Sequence, residues 1–311
     1  MRIGIIGAGL AGLSCATLLA EQGHAPVLFD KGRGPGGRMS TRRLETPLGP
    51  VSFDHGAQYL TARDPAFVAQ VERWAAAGHV ARWSAAGDDA WVGVPAMSAP
   101  VRALSADLDV RWQARVDEIG REGDRWAFHG QDVAAEPFDA AIVAVPAEQV
   151  ASLVGTHRPD WAAHAIATPS DPCWTVMAAY GSRLPIGPDR ITNPGIIASA
   201  VRNSAKPGRD GAEAWVLQAS GDWSAAHLEE RLDVVERFVL EAFDALAHVA
   251  LPAPEVTSVH RWRYAKSGRL GQDVLWDASR RLGLCGDWLI GGRIEAAWLS
   301  GSRLARSMGA S

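Results

Sequence analysis

Apolar positions change their period repeatedly along this chain, and each change marks an element. Arg2–Ile6 reads as a short apolar strand. Leu10–Gln22 then shows helical spacing, and Pro26–Phe29 returns to an apolar strand. Helical spacing resumes over Pro65–Gly78 at Phe67, Val68, Val71 and Trp74, before short strands at Val80–Trp83 and Trp91–Val94. Met97–Leu108 predicts a helix, and Val110–Ile119 with Arg125–His129 predicts a hairpin turning through Gly120–Asp124. Phe138–Val145, almost wholly apolar and stopped by Pro146, predicts a further strand buried on both faces.

The second half reads differently. Strand patterns at Thr175–Tyr180, Ile196–Val201 and Trp215–Ser220 precede a predicted helix over Ala225–Leu246, with apolar Leu228, Leu232, Val235, Val239 and Phe243. The stretch 183–195, with its prolines and glycines, reads as the least ordered loop. A last apolar strand ends at Gly286-Asp287, and the helix after it carries Ile294, Ala297, Trp298, Gly301 and Leu304 on one stripe. No internal repeat is evident.

The first candidate chemistry lies where the first strand becomes a helix, at Gly7-Ala8-Gly9-Leu10-Ala11-Gly12. Gly7 allows the tight turn, Gly9 lets a pyrophosphate approach the backbone, and Gly12 lets the helix pack close to the strand. The helix start offers free N–H groups and a positive dipole end to phosphates. Asp30, at the tip of the second strand, lies 18 positions past Gly12, the place of a carboxylate that accepts from ribose hydroxyls. Lys31, Arg33, Gly36, Gly37, Arg38 and Met39 follow, a loop in which arginine forks can meet phosphates and glycines let the main chain lie against them.

This loop resembles the second dinucleotide signature of the flavin amine oxidase superfamily, which points to FAD rather than NAD as the bound cofactor. The wording Asp30-Lys31-Gly32-Arg33-Gly34-Pro35-Gly36-Gly37-Arg38-Met39-Ser40-Thr41-Arg42-Arg43, with Phe53-Asp54-His55-Gly56-Ala57-Gln58-Tyr59-Leu60-Thr61-Ala62-Arg63-Asp64-Pro65, is similar to the bacterial branch of the renalase family. Leu284-Cys285-Gly286-Asp287 and Gly291-Gly292-Arg293-Ile294-Glu295-Ala296-Ala297-Trp298-Leu299-Ser300-Gly301 resembles the strand and helix that finish the flavin site in that fold. The resemblance implies an α/β fold, a Rossmann-like FAD-binding domain with a parallel sheet and β-meander, interleaved with a smaller α+β substrate domain. The expected division gives 1–64, 96–150 and 265–311 to the FAD-binding domain and 65–95 with 151–264 to the substrate domain.

It also implies that Val116, on the meander, touches adenine, that Gly56, Ala57 and Gln58 run along the flavin ring, and that Asp287, Ile294 and Glu295 close the site. Gln58, Tyr59, Tyr180 and Trp288 are the substrate-facing candidates, with Trp174, Trp262, Arg263 and Tyr264 in segments expected to wall the same cavity. Lys266 reads as a solvated loop lysine, the resemblance offering as the alternative a bridge to the flavin through water. The implied reaction is hydride transfer from 2- or 6-dihydro isomers of NAD(P), with reduced flavin passing electrons to molecular oxygen to give hydrogen peroxide. A true amine oxidase of the same fold and a non-catalytic FAD-binding protein remain as alternatives.

Composition narrows the classes without choosing among these. A net charge of −4 over 311 residues, with no long run of one sign, gives no footprint for nucleic acid. The apolar N-terminus is broken by the glycine turn, and no stretch offers the ~18 uninterrupted apolar residues of a membrane span. Cys15, Cys173 and Cys285 are far apart with no C-x-x-C spacing, which fits a reducing cytoplasm and no metal site. No cysteine falls between 174 and 284, where covalent amine oxidases attach flavin, so non-covalent FAD is expected. The histidines stand apart, and no Ser/His/Asp or Cys/His set is evident. The oligomeric state is not readable.

Overall fold

In the computed structural model, residues 1–134, 136–193 and 195–309 are described. Three strands expected from unbroken apolar runs, Arg2–Ile6, Ala25–Asp30 and Ala140–Val143, form the centre of a six-stranded sheet. Arg2–Ile6 pairs in parallel with both others, and Leu282–Leu284 and Asp109–Trp112 extend the parallel arrangement on either side. Leu275–Asp277 adds an antiparallel edge. Ile3, Ile5, Leu28, Ala140 and Ile142 are completely buried, as double-sided cover by helices and by the meander requires.

The expected strand Val110–Ile119 is two strands. Gln113, at φ 62°, turns the chain after Trp112, and Ala114 N–H then donates to the Asp30 carbonyl. Arg115–Glu122 leaves the parallel sheet to pair with Arg125–Gln131, turning tightly through Gly123, at φ 62°, and Asp124. The meander is therefore tied to the end of the second strand.

A second, five-stranded antiparallel sheet has the order Arg190–Thr192, Ile197–Arg202, Glu213–Ala219, Asp171–Tyr180, Val256–Lys266. Val235, Val239 and Phe243 of the helix Leu232–Ala247 pack on its Trp174, Val176, Trp215 and Leu217. The helix predicted over 225–246 is broken: Gly221–Ala226 and Leu232–Ala247 are separate, and Leu232 is 55% exposed. Side chains of the sheet take the carbonyls of the intervening turn. Trp174 Nε1 donates to His227 O at 3.0 Å, and Arg261 donates to Leu228 O at 2.6 Å.

Segment 65–95, expected with the substrate unit, buries Phe67, Val71, Trp74, Val80, Trp83 and Val92 in the same core as Ile3, Ile5 and Leu13. Its helix Pro65–Ala76 starts at Asp64, whose carboxylate accepts from Ala66 N–H at 2.9 Å, with proline in the first turn. Its strands pair with Leu60–Thr61 in a small three-stranded sheet.

The closing helix Ile294–Gly309 is buried on more than the expected stripe, with Leu299, Ser300, Ala305 and Met308 also covered. It lies directly on helix Leu10–Glu21. A Cβ on Gly301 would stand 2.1 Å from the Ala11 carbonyl oxygen and 2.3 Å from Ser14 Oγ, so only glycine permits this contact. Gly301→Ala should therefore lower stability by about 1–3 kcal/mol through forced separation of the two helices. In urea denaturation the midpoint should fall with an unchanged slope; an unaltered midpoint would show that the helices can part without cost.

Candidate active site

A cavity of about 1330 Å³ opens at the carboxyl ends of the parallel strands, where Ile6, Phe29 and Ala144 reach it, the usual ligand position in an open α/β sheet. Cys173, Ser199, Gln218, Trp262 and Tyr264 of the second sheet form the other wall. This volume exceeds the roughly 300–1,000 Å³ of an ordinary small-molecule pocket.

Two glycine loops meet at one end. Gly7 adopts φ 101°, and a Cβ there would lie 2.4 Å from the Ala144 carbonyl oxygen. Gly9 has open space where a Cβ would be, and a Cβ on Gly37 would come within 3.9 Å of Gly9 Cα, so the loops face each other without side chains between them. Helix Leu10–Glu21 has no capping side chain and no acid in its first turn, which leaves its leading amides at the cavity beside Leu10 and Ala11. Asp30 accepts from Ala8 N–H at 2.8 Å and from Gly32 N–H at 2.7 Å, locking both turns to one carboxylate. Lys31 lines the cavity nearby and donates to Gln149 at 3.1 Å.

Arg38, Met39, Gly56, Ala57, Gln58, Tyr59, Val116, Gly286, Asp287, Ile294 and Glu295 also line the cavity. Arg38 donates to Asp287 Oδ1 at 2.6 Å and to Ser267 Oγ at 2.7 Å, joining two motifs 249 positions apart. Gly56 is needed for close approach, since a Cβ would lie 2.1 Å from the Arg38 carbonyl oxygen. Glu295 Oε1 accepts from the N–H groups of Arg63 and Asp64, at 2.6 and 2.7 Å, tying the closing helix to the strand after Tyr59.

Four expected site residues are elsewhere. Gly12 packs against the Gly7 carbonyl, where a Cβ would be 2.0 Å away, the close packing expected of it, and it does not line the cavity. Arg33 is not part of the cavity wall. Tyr180 belongs to the core between the second sheet and its helix, and Trp288 to the core under the meander, because each strand or helix turns those side chains away from the cavity. Trp174 is likewise core, whereas Trp262, Arg263, Tyr264 and Lys266 do line the cavity. Arg63, Arg190, Thr192, Ser199, Gln218 and Arg293 also line the cavity and are not among the expected site residues: Arg190 and Thr192 lie on a strand inside the stretch read as a loop, and the other four lie in recognised segments whose pattern does not say which polar side chains reach the cavity.

Behind Gln58 lies a buried ionic cluster. Asp54 Oδ2 accepts from Lys206 Nζ at 3.2 Å and from Arg209, while Oδ1 accepts from Thr41 Oγ1 at 2.7 Å and from Met97 N–H at 2.9 Å. Burial alone would raise the Asp54 carboxyl, but the adjacent Lys206 and Arg209 charges outweigh it and hold it at about 2. Burial pulls the Lys206 ammonium down to about 8. Lys206 also donates to Gln58 Oε1 at 3.1 Å, and Gln58 Nε2 donates to the carbonyls of Asp54 and Gly56 at 2.6 and 3.0 Å. The amide that faces the cavity is thus held at both ends.

His55 stacks on Trp262 at 5.1 Å and meets His260 edge-on at 4.9 Å, with Arg42 donating toward His260 at 3.2 Å. Burial, with His260 and Arg42 nearby, lowers His55 to about 4; burial and Arg42 lower His260 to about 4. Both rings are neutral at pH 7, and neither lines the cavity. Among the described residues no group of three or more His, Cys, Asp and Glu side chains could hold a metal ion, and no helix is long and apolar enough to cross a membrane.

A glycine-turned parallel sheet, a second sheet closing its carboxyl edge and a cavity of this volume define a dinucleotide-binding α/β architecture. Residues 5–74 match the NAD(P)-binding Rossmann-like domain, and residues 72–308 match the family described as flavin containing amine oxidoreductase. The chain belongs to that family and is a flavin-dependent oxidoreductase of the amine oxidase type. It is 25% identical over 308 residues to renalase of Mus musculus, covering 88% of this chain and 89% of the relative. A shorter match, 50% identical over 45 residues, is to a 15-cis-phytoene desaturase of Synechococcus elongatus, covering 14% of this chain and 10% of that protein. Among solved structures, cyclohexylamine oxidase from Brevibacterium oxydans superimposes with a TM-score of 0.72 at 12% identity, covering 99% of this chain and 98% of that one. A putrescine oxidase bound to putrescine does so with a TM-score of 0.77 at 12% identity over 100% of both chains. These two structures share the fold.

The two histidines set an acid sensitivity. Their folded values lie below the ordinary 6.5, so on acidification the unfolded chain takes up protons first and stability drains as pH falls from about 6.5 to 4. The loss should be on the order of 3 kcal/mol for the pair, allowing for solvent screening of half-buried His260. Urea midpoints at pH 7 and pH 5 measure it. His260→Gln should flatten the decline, and an equally steep decline in that variant would assign the sensitivity to other groups.

Proposed function

We propose that this protein holds FAD non-covalently and takes a hydride from 2- or 6-dihydro isomers of NAD(P), giving NAD(P)+ and, with molecular oxygen, hydrogen peroxide. The observation that carries this reading is the chemistry of the cavity wall. Among the described residues no histidine lines it, and each lining carboxylate has a partner: Asp30 and Glu295 hold backbone amides, Asp287 holds Arg38, and Asp117 pairs with Arg115 at 2.8 Å. A wall without a poised base suits a donor whose oxidation needs only orientation and whose product is aromatic. The whole-length likeness to mouse renalase supports the same reading.

The cradle fits the cofactor, because Gly9 and Gly37 leave backbone open where a pyrophosphate would lie. Gly7, Gly9, Leu10 and Ala11 would hold the phosphates with Gly37, Arg38 and Met39; Asp30, Lys31 and Val116 would hold the adenosine half. Gly56, Ala57 and Gln58 would line the ring, with Gly286, Asp287, Ile294 and Glu295 closing the site. Bound flavin supplies the two-electron acceptor. The amino end of helix Ile294–Gly309 reaches the cavity, and its dipole favours negative charge there. Lys206 fixes the Gln58 amide so that it need not reorganise when a donor enters. The second sheet would carry the substrate wall through Gln218, Trp262 and Tyr264.

Tyr59, Trp262 and Tyr264 also line the cavity, and such aromatic rings keep an amine oxidase in contention. Anaerobic stopped-flow separates the readings. Isomeric dihydronicotinamide dinucleotides should bleach the flavin much faster than 4-dihydro NADH or monoamines; faster bleaching by amines would promote the amine oxidase, and no bleaching by either the non-catalytic binder.

Acid or heat should release FAD into solution. Cys15 and Cys285 are buried in the core, and burial pushes the Cys173 thiol, which does line the cavity, up to about 11, far from the reactive thiolate. Flavin travelling with the denatured polypeptide would overturn this.

A further inference from the structure

Among the described residues, the cavity wall carries cations that no carboxylate neutralises. Arg190, on the edge strand of the second sheet, sits over the Tyr59 ring at 5.3 Å, and among the described residues its side chain's one hydrogen bond is a long 3.5 Å contact to Tyr59 Oη. Its Nε is buried and has no hydrogen-bond partner among the described residues. An arginine donor shielded from water and left unpaired is costly, unless a ligand completes it.

The surroundings extend the same charge. Tyr59, Thr61 and Arg63 alternate along one stretch of chain and all reach the cavity. Arg63 N–H bonds Glu295, which places the stretch beside Arg293, two positions before Glu295. Among the described residues neither Arg63, Arg190 nor Arg293 forms a salt bridge, whereas nearby Asp64 is engaged by Arg303 at 3.1 Å. Thr192, Ser199 and Gln218 add neutral polar groups to the wall. Such a wall repels a protonated amine and attracts a planar, multiply charged anion, which arginine forks bind in bidentate fashion.

We propose that Arg190, assisted by Arg63 and Arg293, forms a phosphate-binding subsite that holds the pyrophosphate of a dinucleotide substrate, separately from the glycine loops that would hold the cofactor. The inference rests on the hydride-donor reading for the identity of the substrate, but the subsite can be tested without turnover. Specificity for dinucleotides over free dihydropyridines then comes from this anion clamp, and the ring is positioned by what remains of the cavity.

The test is binding of inorganic pyrophosphate to the purified holoenzyme by titration calorimetry, in wild type, Arg190→Gln, Arg190→Lys and Arg293→Gln. Loss of a charge-assisted hydrogen bond should weaken binding roughly ten- to a hundred-fold in Arg190→Gln, with partial recovery in Arg190→Lys. Arg293→Gln, on an exposed side chain, serves if the Arg190 variants fail to fold, and should also weaken binding. Equal binding in all variants, or equally tight binding of succinate, overturns the subsite. Anaerobic reduction keeps the two proposals apart. If pyrophosphate binding depends on Arg190 while isomeric dinucleotides leave the flavin oxidised, the subsite stands and the hydride-donor reading falls. If the dinucleotides reduce the flavin with the same apparent Kd in wild type and Arg190→Gln, the subsite falls and the donor reading stands.

Discussion

The Asp54 carboxylate is the point on which the two halves of the molecule turn. It is fully buried, and its four partners come from three separate segments: Thr41, Met97, and Lys206 with Arg209. An ion placed so deep is tolerable only when every lone pair is satisfied, and removing one partner of such a set typically costs 3–5 kcal/mol. The cluster therefore fixes the hairpin before the site, the entry to helix Ala99–Ser105 and the loop after Ile197–Arg202 in one relative arrangement. Gln58 takes its orientation from the same lysine, so wall geometry and inter-sheet geometry are set together. Asn203 strengthens the junction by accepting from Asp54 N–H and donating to the Ser52 carbonyl.

Close backbone contact is the second requirement. Gly7, Gly56 and Gly301 each occupy a spot where a Cβ would lie within about 2.4 Å of a carbonyl oxygen. At Gly7 and Gly56 the contact brings loops to the cavity, and at Gly301 it seats the closing helix on the first one. Charge and glycine divide the work: ionic groups hold segments in register, and missing side chains let them touch.

Much of this was legible because local chemistry and global fold agree in the first 59 residues. The parallel strands announce themselves through unbroken apolar runs, and Asp30, Arg38 and Asp287 all reach the cavity. Legibility fails where tertiary partners decide. Val256–Lys266 is a strand in which Ser258, His260 and Trp262 alternate with Val259 and Arg261, all half-buried, so its pattern has no clean apolar face. The break at 227–231 depends on Trp174 and Arg261, more than 30 positions away for the latter, and no window of local sequence contains them both. Trp288 and Tyr180 illustrate the converse, since adjacency to a motif says nothing about which side of an element an aromatic ring takes.

The Asp30 carboxylate, with one oxygen on each of two turns, has a consequence for how any occupant arrives. Both turns keep their shape through bonds internal to the protein, so capture demands little loss of chain freedom at the moment of contact. A receptor of that kind discriminates by outline rather than by wrapping itself around its guest. It should accept ligands that share the backbone-facing portion and differ elsewhere, and it should reject those that would need either turn to move.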